Sequence, residues 1–244
     1  MGYPVLQVQP LRGRAQDHLE LMLSQERFVY DNLLDDDTPL NPPLLRGDTG
    51  GLWRVPVAVT YPGAAQADFL LLDQRRAELT MAAPSHPERV AALPWFKVNP
   101  HQTGFYRVNY PPEDWARLVP AIESLELPAT DRLGIQNDAY ALSRAGLLPV
   151  TQFLSLARAY ANEPDASVWG DLASNLRDID NLLANEPYYG TFQAFARDLF
   201  HPAAKRMGWE ARPGEGHLDA LLRSTVVGQA GSYGDAEFLQ GAKE

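Results

Sequence analysis

The chain has 244 residues, no cysteine and a formal net charge of −10. The missing cysteines exclude disulfides, thiolate metal sites and a cysteine nucleophile, and the acidic balance argues against nucleic acid as a partner. No stretch approaches the roughly 18 apolar residues of a membrane span, and no basic-then-apolar leader opens the sequence, so a globular cytoplasmic protein of one or two domains is expected, with no membrane partner.

Strand-forming segments come first. Leu21-Met22-Leu23 with Arg27-Phe28-Val29 is the earliest. From Trp53 to Tyr61 the odd positions are Trp, Val, Val, Val and Tyr, and the even ones are Arg, Pro, Ala and Thr. This period-two alternation makes Trp53, Val55, Val57 and Val59 the expected core face of a strand. Phe69-Leu70-Leu71-Leu72 reads as a short strand buried on both faces. Trp95 to Val98 and Phe105 to Tyr110 complete the set. Turn-forming residues separate them: Asp35 to Pro39 with Asn41-Pro42-Pro43, then Pro62-Gly63, then Pro84 to Pro87. The acidic, proline-rich stretch 35–51 reads as a surface insertion rather than a binding loop. Short strands at this spacing predict an Ig-like β-sandwich over residues 1–110.

The period then changes to that of a helix. Pro111-Pro112 suits a first helical turn. Ile135, Ala139 and Leu142 form one stripe, closed by Gly146 as a C-cap. Phe153, Leu156, Ala157 and Tyr160 form a second, broken at Glu163-Pro164. Val168, Leu172, Leu176, Ile179, Leu182 and Leu183 form a third. Phe192, Phe195, Leu199 and Phe200 form a fourth, and Leu218, Leu221 and Leu222 begin a fifth. Asp131 and Asp165 stand where N-caps are wanted. Short connections predict stacked helix hairpins, a degenerate HEAT- or armadillo-like solenoid over residues 111–244. Only residues 235–244 remain to cover the last stripe, so a C-terminally truncated solenoid with exposed apolar surface is expected.

Catalytic motifs are sparse. The histidines are His18, His86, His101, His201 and His217, and no two are four apart. A His-Glu-x-x-His zinc helix is therefore missing, as are a nucleophile elbow and a phosphate loop. Gly214-Glu215-Gly216-His217 offers a Glu–His dyad, but a turn leading into a helix N-terminus accounts for it, with Glu215 favoured by the helix dipole. Asp178 and Asp180 point to different sides of a helix and read as solvated. No catalytic or metal residue is expected in this chain. The polar candidates left are Arg107, Asp131, Arg132, Asn137 and Asp138. They serve either as peptide contacts or as a hydrogen-bonded structural joint between the two domains, and the joint is preferred because buried charges persist only when paired.

Several of these segments also carry a resemblance. Trp95-Phe96-Lys97-Val98-Asn99-Pro100-His101-Gln102-Thr103-Gly104-Phe105-Tyr106-Arg107-Val108-Asn109-Tyr110 is followed by Asp131-Arg132-Leu133-Gly134-Ile135-Gln136-Asn137-Asp138 and the helix to Gly146. With Gly2-Tyr3-Pro4-Val5, Trp53 to Val57, Glu163 to Trp169 and Pro213 to Arg223, this order resembles the downstream half of the zinc aminopeptidases of the puromycin-sensitive type. The resemblance implies a β-sandwich followed by a bowl of paired helices. It places the zinc, the His-Glu-x-x-His helix, the Gly-Ala-Met-Glu-Asn loop and the transition-state tyrosine in an upstream catalytic domain. The chain would then be a non-catalytic C-terminal segment without cofactor, partnered by that catalytic domain in cis or as a separate chain, and possessing a wall toward peptides. In the endoplasmic-reticulum members a Tyr-Lys pair engages the peptide carboxyl end. Asp180-Asn181 stand at that place here, and a carboxylate would repel such a group. The other reading is a free-standing module that binds a protein or peptide in its solenoid groove.

Overall fold

The computed structural model describes residues 3–11, 19–28, 52–81 and 93–242. The acidic stretch 35–51, the turn at 84–87, His18 and His86 lie outside them. Strands come first: β1 (Tyr3–Pro10), β2 (Leu19–Phe28), β3 (Val55–Thr60), β4 (Asp68–Leu72), β5 (Arg76–Met81), β6 (Lys97–Val98) and β7 (Arg107–Asn109). Helices follow: α1 (Pro112–Glu123), α2 (Ala129–Arg144), α3 (Val150–Ala157), α4 (Ala166–Leu183), α5 (Tyr189–Met207), α6 (His217–Ser232) and α7 (Ala236–Gly241). The chain divides into two compact units, one of residues 1–121 and 138–150, the other of residues 122–137 and 151–244.

In the first unit the strands form two sheets, ordered β5-β2-β1-β7 and β4-β3-β6. β1 runs antiparallel to β2, from Tyr3 opposite Phe28 to Pro10 opposite Leu21, and parallel to β7, with Leu6 opposite Val108. β1 escaped the pattern reading because it buries Pro4, Val5 and Leu6 in succession, which hides any alternation. β5 escaped it because only Leu79 and Met81 are buried. In β3, Val55, Val57 and Val59 are buried as their alternation requires. β4 departs from expectation. Phe69 is 73% and Leu71 45% exposed, while Leu72 is fully buried. Leu70 and Leu72 lie on the face shared with Val57 and Val55 and Phe69 and Leu71 on the other, so β4 alternates instead of being covered on both faces.

Buried polar groups stitch the loops to these sheets. Gln25 in β2 accepts a bond from Trp53 N–H at 2.8 Å and donates to the carbonyls of Trp53 at 3.0 Å and Gln74 at 2.9 Å. Between β6 and β7 the backbone is left-handed at Asn99, His101 and Gln102. Asn99 holds that loop by accepting Gly104 N–H at 2.7 Å and donating to Gly104 C=O at 2.9 Å. A Cβ on Gly104 would stand 2.1 Å from the Tyr106 ring. Gly104→Ala should therefore cost about 1–3 kcal/mol by overpacking against a buried ring. Urea unfolding checks this, and an unchanged midpoint would mean that Tyr106 moves aside freely. At the end of α2, Gly146 takes a positive φ of 68°. Leu147 N–H bonds Leu142 C=O at 2.9 Å and Gly146 N–H bonds Ser143 C=O at 3.1 Å, a Schellman closure.

In the second unit, α4, α5 and α6 pack on one another. Trp169 lies 5.2 Å from Phe200, which stacks 6.0 Å from Tyr233. Asp165 caps α4, its Oδ1 accepting the N–H groups of Ser167 and Val168 at 2.8 and 3.1 Å. Asp131 does not cap α2. That helix starts at Ala129 and Asp131 sits inside its first turn, because the Pro128 carbonyl already receives the N–H groups of Asp131 and Arg132. The α4 stripe stays buried through Ile179, but Leu182 is 69% exposed in its last turn. On α6, Leu222 is buried and Leu218 and Leu221 are exposed.

Candidate functional site

The five polar candidates fall into separate clusters. In the first unit the Arg107 guanidinium meets Asp138 Oδ1 at 3.1 Å, and Asp138 Oδ2 accepts the Val108 N–H at 3.2 Å. The carboxylate thus takes a backbone donor of β7, which has β1 as its strand neighbour. Arg107 also reaches the Tyr3 hydroxyl at 3.5 Å. The Asp138 side chain is 3% exposed and that of Arg107 23%. Burial pushes the Asp138 carboxyl up to about 6, although Arg107 and Lys97 pull the other way. For Arg107, burial acts to lower the pKa, and Asp138 and Tyr3 together outweigh it. Lys97 was not among the candidates. It is 1% exposed and donates from Nζ to the carbonyl of Asn99 at 3.1 Å as well as to that of Val98. A lysine inside the apolar run Trp95-Phe96-Lys97-Val98 was the signal.

In the second unit Arg132 makes a two-pronged bond with Glu163, Nε to Oε2 at 2.6 Å and Nη2 to Oε1 at 2.7 Å. Its Nη1 donates to the Leu127 carbonyl. The side chains are 6% and 1% exposed. The Glu163 bond comes first among the causes that raise the Arg132 pKa. The same glutamate accepts the Asp165 N–H at 2.8 Å, and its own carbonyl receives the Trp169 indole at 2.8 Å and Arg206 at 3.1 Å. Tyr160 donates to the Arg132 carbonyl at 2.7 Å, and burial, followed by the charge of Glu163, drives its pKa well up. Asn137 donates to both oxygens of Asp171 at 3.2 Å, and Asp171 Oδ2 also accepts from Asn175 at 3.2 Å. Asp131 is 1% exposed. Glu163, Tyr160 and Asp171 were not among the candidates. Partners some thirty positions away in sequence follow from how helices return, which no local pattern displays.

These clusters are occupied by their own chain. Arginine cannot act as a base, and both oxygens of Glu163 and of Asp138 are engaged. Glu215 pairs with Arg223 and not with His217, and that pairing lowers its pKa. The dyad reading therefore gives way to the turn reading, with Gly214 at a φ of 89°. Asp180 accepts the Tyr189 hydroxyl at 2.9 Å. A cleft of about 500 Å³ opens where α4 and α6 begin, lined by Asp165, Ala166, His217, Leu218 and Asp219 among others. Asp165 and Asp219 already bond backbone N–H groups there, at Ser167 and Gly216, so those amides are not available to an anion. Zinc does not fit the described residues. No group of three His, Asp or Glu could hold a metal ion among them, and His201 Nδ1 is tied to Asp235 at 2.7 Å. No described helix is long and apolar enough to cross a membrane.

Comparison with known proteins bears on the same stretches. The family model described as the ERAP1-like C-terminal domain matches residues 95–244. The chain is 31% identical over 228 residues to Aminopeptidase M1-A of Oryza sativa subsp. japonica, covering 93% of this chain and 24% of that protein. It is 30% identical over 236 residues to the puromycin-sensitive aminopeptidase of Caenorhabditis elegans, covering 93% of this chain and 22% of that protein. Glutamyl aminopeptidase of Rattus norvegicus is 29% identical over 247 residues, covering 100% of this chain and 24% of that protein. The chain spans about a quarter of the length of the curated relatives it matches.

Proposed function

The chain belongs to the ERAP1-like C-terminal domain family, and from that premise we propose that it is the non-catalytic C-terminal segment of a zinc aminopeptidase, scaffolding the catalytic domain and walling its peptide chamber. One observation supports this above others. The charged motif residues, Arg132 with Glu163 and Arg107 with Asp138, are bonded to groups of this same chain and leave no free acid, base or metal ligand among them. Residues 1–110 are proposed as an Ig-like sandwich and residues 111–244 as a degenerate solenoid. Arg107, Asp131, Arg132, Asn137 and Asp138 are proposed as a structural joint rather than peptide contacts. Zinc would belong to the catalytic domain, in cis or on a separate chain, and the cytoplasm would be the working compartment. Purified chain incubated with leucine and alanine aminopeptidase substrates, with and without added zinc, should show no turnover. Zinc-dependent turnover that follows the chain through every purification step would overturn the proposal.

A second reading is a free-standing peptide-binding module. The exposed Leu218 beside the cleft at the start of α4 and α6 favours it. Calorimetric titration of the chain with a peptide library separates the two readings. Saturable binding by the isolated chain, lost on Leu218→Asp, would favour the module.

A further inference from the structure

The short helix α7 sits on residues four apart along α5 and the turn after it. His201 Nδ1 donates to Asp235 Oδ2 at 2.7 Å, and Lys205 Nζ lies 3.5 Å from Glu237 Oε2. The Trp209 ring lies 5.8 Å from that of Phe238. Phe238 is the buried side chain of α7, whereas Ala236, Glu237, Leu239 and Gln240 are exposed. Asp235 has two duties. Its Oδ1 caps α7 by accepting the N–H groups of Glu237 at 3.0 Å and Phe238 at 3.4 Å, while Oδ2 holds His201. Gly234, just before it, has a φ of 80°, a left-handed conformation that suits glycine. At the other end Gly241 lies so close to Trp209 that a Cβ there would stand 2.5 Å from the indole nitrogen.

We propose that α7 is a strap that opens as a unit about Gly234 while α4, α5 and α6 stay folded, baring the seat made by His201, Lys205 and Trp209. Six residues are too few for a helix to stand by itself in water, so α7 is helical only while it is seated. One carboxylate both starts the helix and holds the seat, so losing either bond weakens the other and the strap lets go cooperatively. The Lys205–Glu237 pair adds little, because its side chains are 63% and 56% exposed. A segment anchored by one buried apolar side chain belongs to the low end of local stability. α6 is held differently. It buries Leu222, Val226, Val227 and Ala230 and packs on both α4 and α5.

Amide hydrogen exchange of the full chain, read by NMR, tests this. The amides of Leu239 and Ala242, which bond the carbonyls of Asp235 and Phe238, should exchange at least about a hundredfold faster than those of Val226 to Ala230 in α6. Glu237→Lys sets two cations against each other and should speed exchange in α7 several-fold, with α6 unchanged. Gly241→Ala separates seating from intrinsic helix preference. Helix propensity alone would protect α7 further, because alanine is the better helix former. The strap requires the opposite, since the new Cβ drives Trp209 away from Phe238 and loosens α7. Exchange of α7 in step with α6 would overturn the proposal. So would slower exchange in Gly241→Ala, or no response of α7 to the charge reversal. Peptidase assays have no bearing on these outcomes, so this inference and the proposed function fail separately.

Discussion

Arg132→Ala is expected to destabilise the chain by about 3–5 kcal/mol, the largest effect of any single substitution considered. Arg132 joins three elements of structure. Two of its nitrogens bind Glu163, the third binds the Leu127 carbonyl, and its own carbonyl receives Tyr160. Truncation leaves Glu163 as a buried carboxylate with its guanidinium gone, still fixed by the Asp165 N–H. That uncompensated charge, more than the lost bond itself, sets the magnitude. Glu163→Gln should cost somewhat less, because the amide oxygen can keep one of the two prongs. Arg132→Lys should not restore stability, since an ammonium cannot occupy both carboxylate oxygens and the Leu127 carbonyl in the same plane. Urea unfolding of the single variants and of Arg132→Ala with Glu163→Ala completes a double-mutant cycle. A loss below about 1 kcal/mol for Arg132→Ala would show that the pair is exposed in solution.

The second large effect is one of pH. Asp138 has a folded pKa of about 6, against about 3.9 for an unfolded aspartate. The folded state therefore binds this proton more tightly than the unfolded state. Its contribution is fully present below about pH 4 and is lost as the pH rises through 6, so stability from this group falls with rising pH. Two pKa units at about 1.36 kcal/mol each amount to about 3 kcal/mol. The cause is burial, which outweighs the attraction of Arg107 and Lys97. Comparing the chain with Asp138→Asn by urea unfolding at pH 4.5, 6 and 7.5 isolates the effect, because the amide does not titrate. The difference in stability between the two proteins should shift by most of that 3 kcal/mol, in favour of the amide at high pH. A difference that stays constant across the series would mean that Asp138 titrates like an exposed carboxylate and that water reaches the Arg107 pair.

The order of strands before helices was written in the sequence, and so were several of the local features that carry it. The valines of β3 bury every second side chain because a strand alternates its faces. Asp165 caps α4 and Gly146 closes α2 because each acts on backbone groups within a few residues of itself. The missing zinc helix was equally legible, since its spacing is local. What the sequence could not reveal were the partners. Nothing near Arg132 points to Glu163, and nothing near Asp138 points to the Val108 N–H. Those pairs exist because helices and strands distant in the chain are brought together. β1 and β4 make the same point for strands. One buries successive residues and loses its visible alternation, and the other leaves Phe69 and Leu71 of its apolar run in solvent. Periodicity and capping depend on the nearest few residues and were therefore determined by the sequence alone. Burial on a second face, and the choice of countercharge, depend on what packs against a segment, and only the tertiary structure decided them.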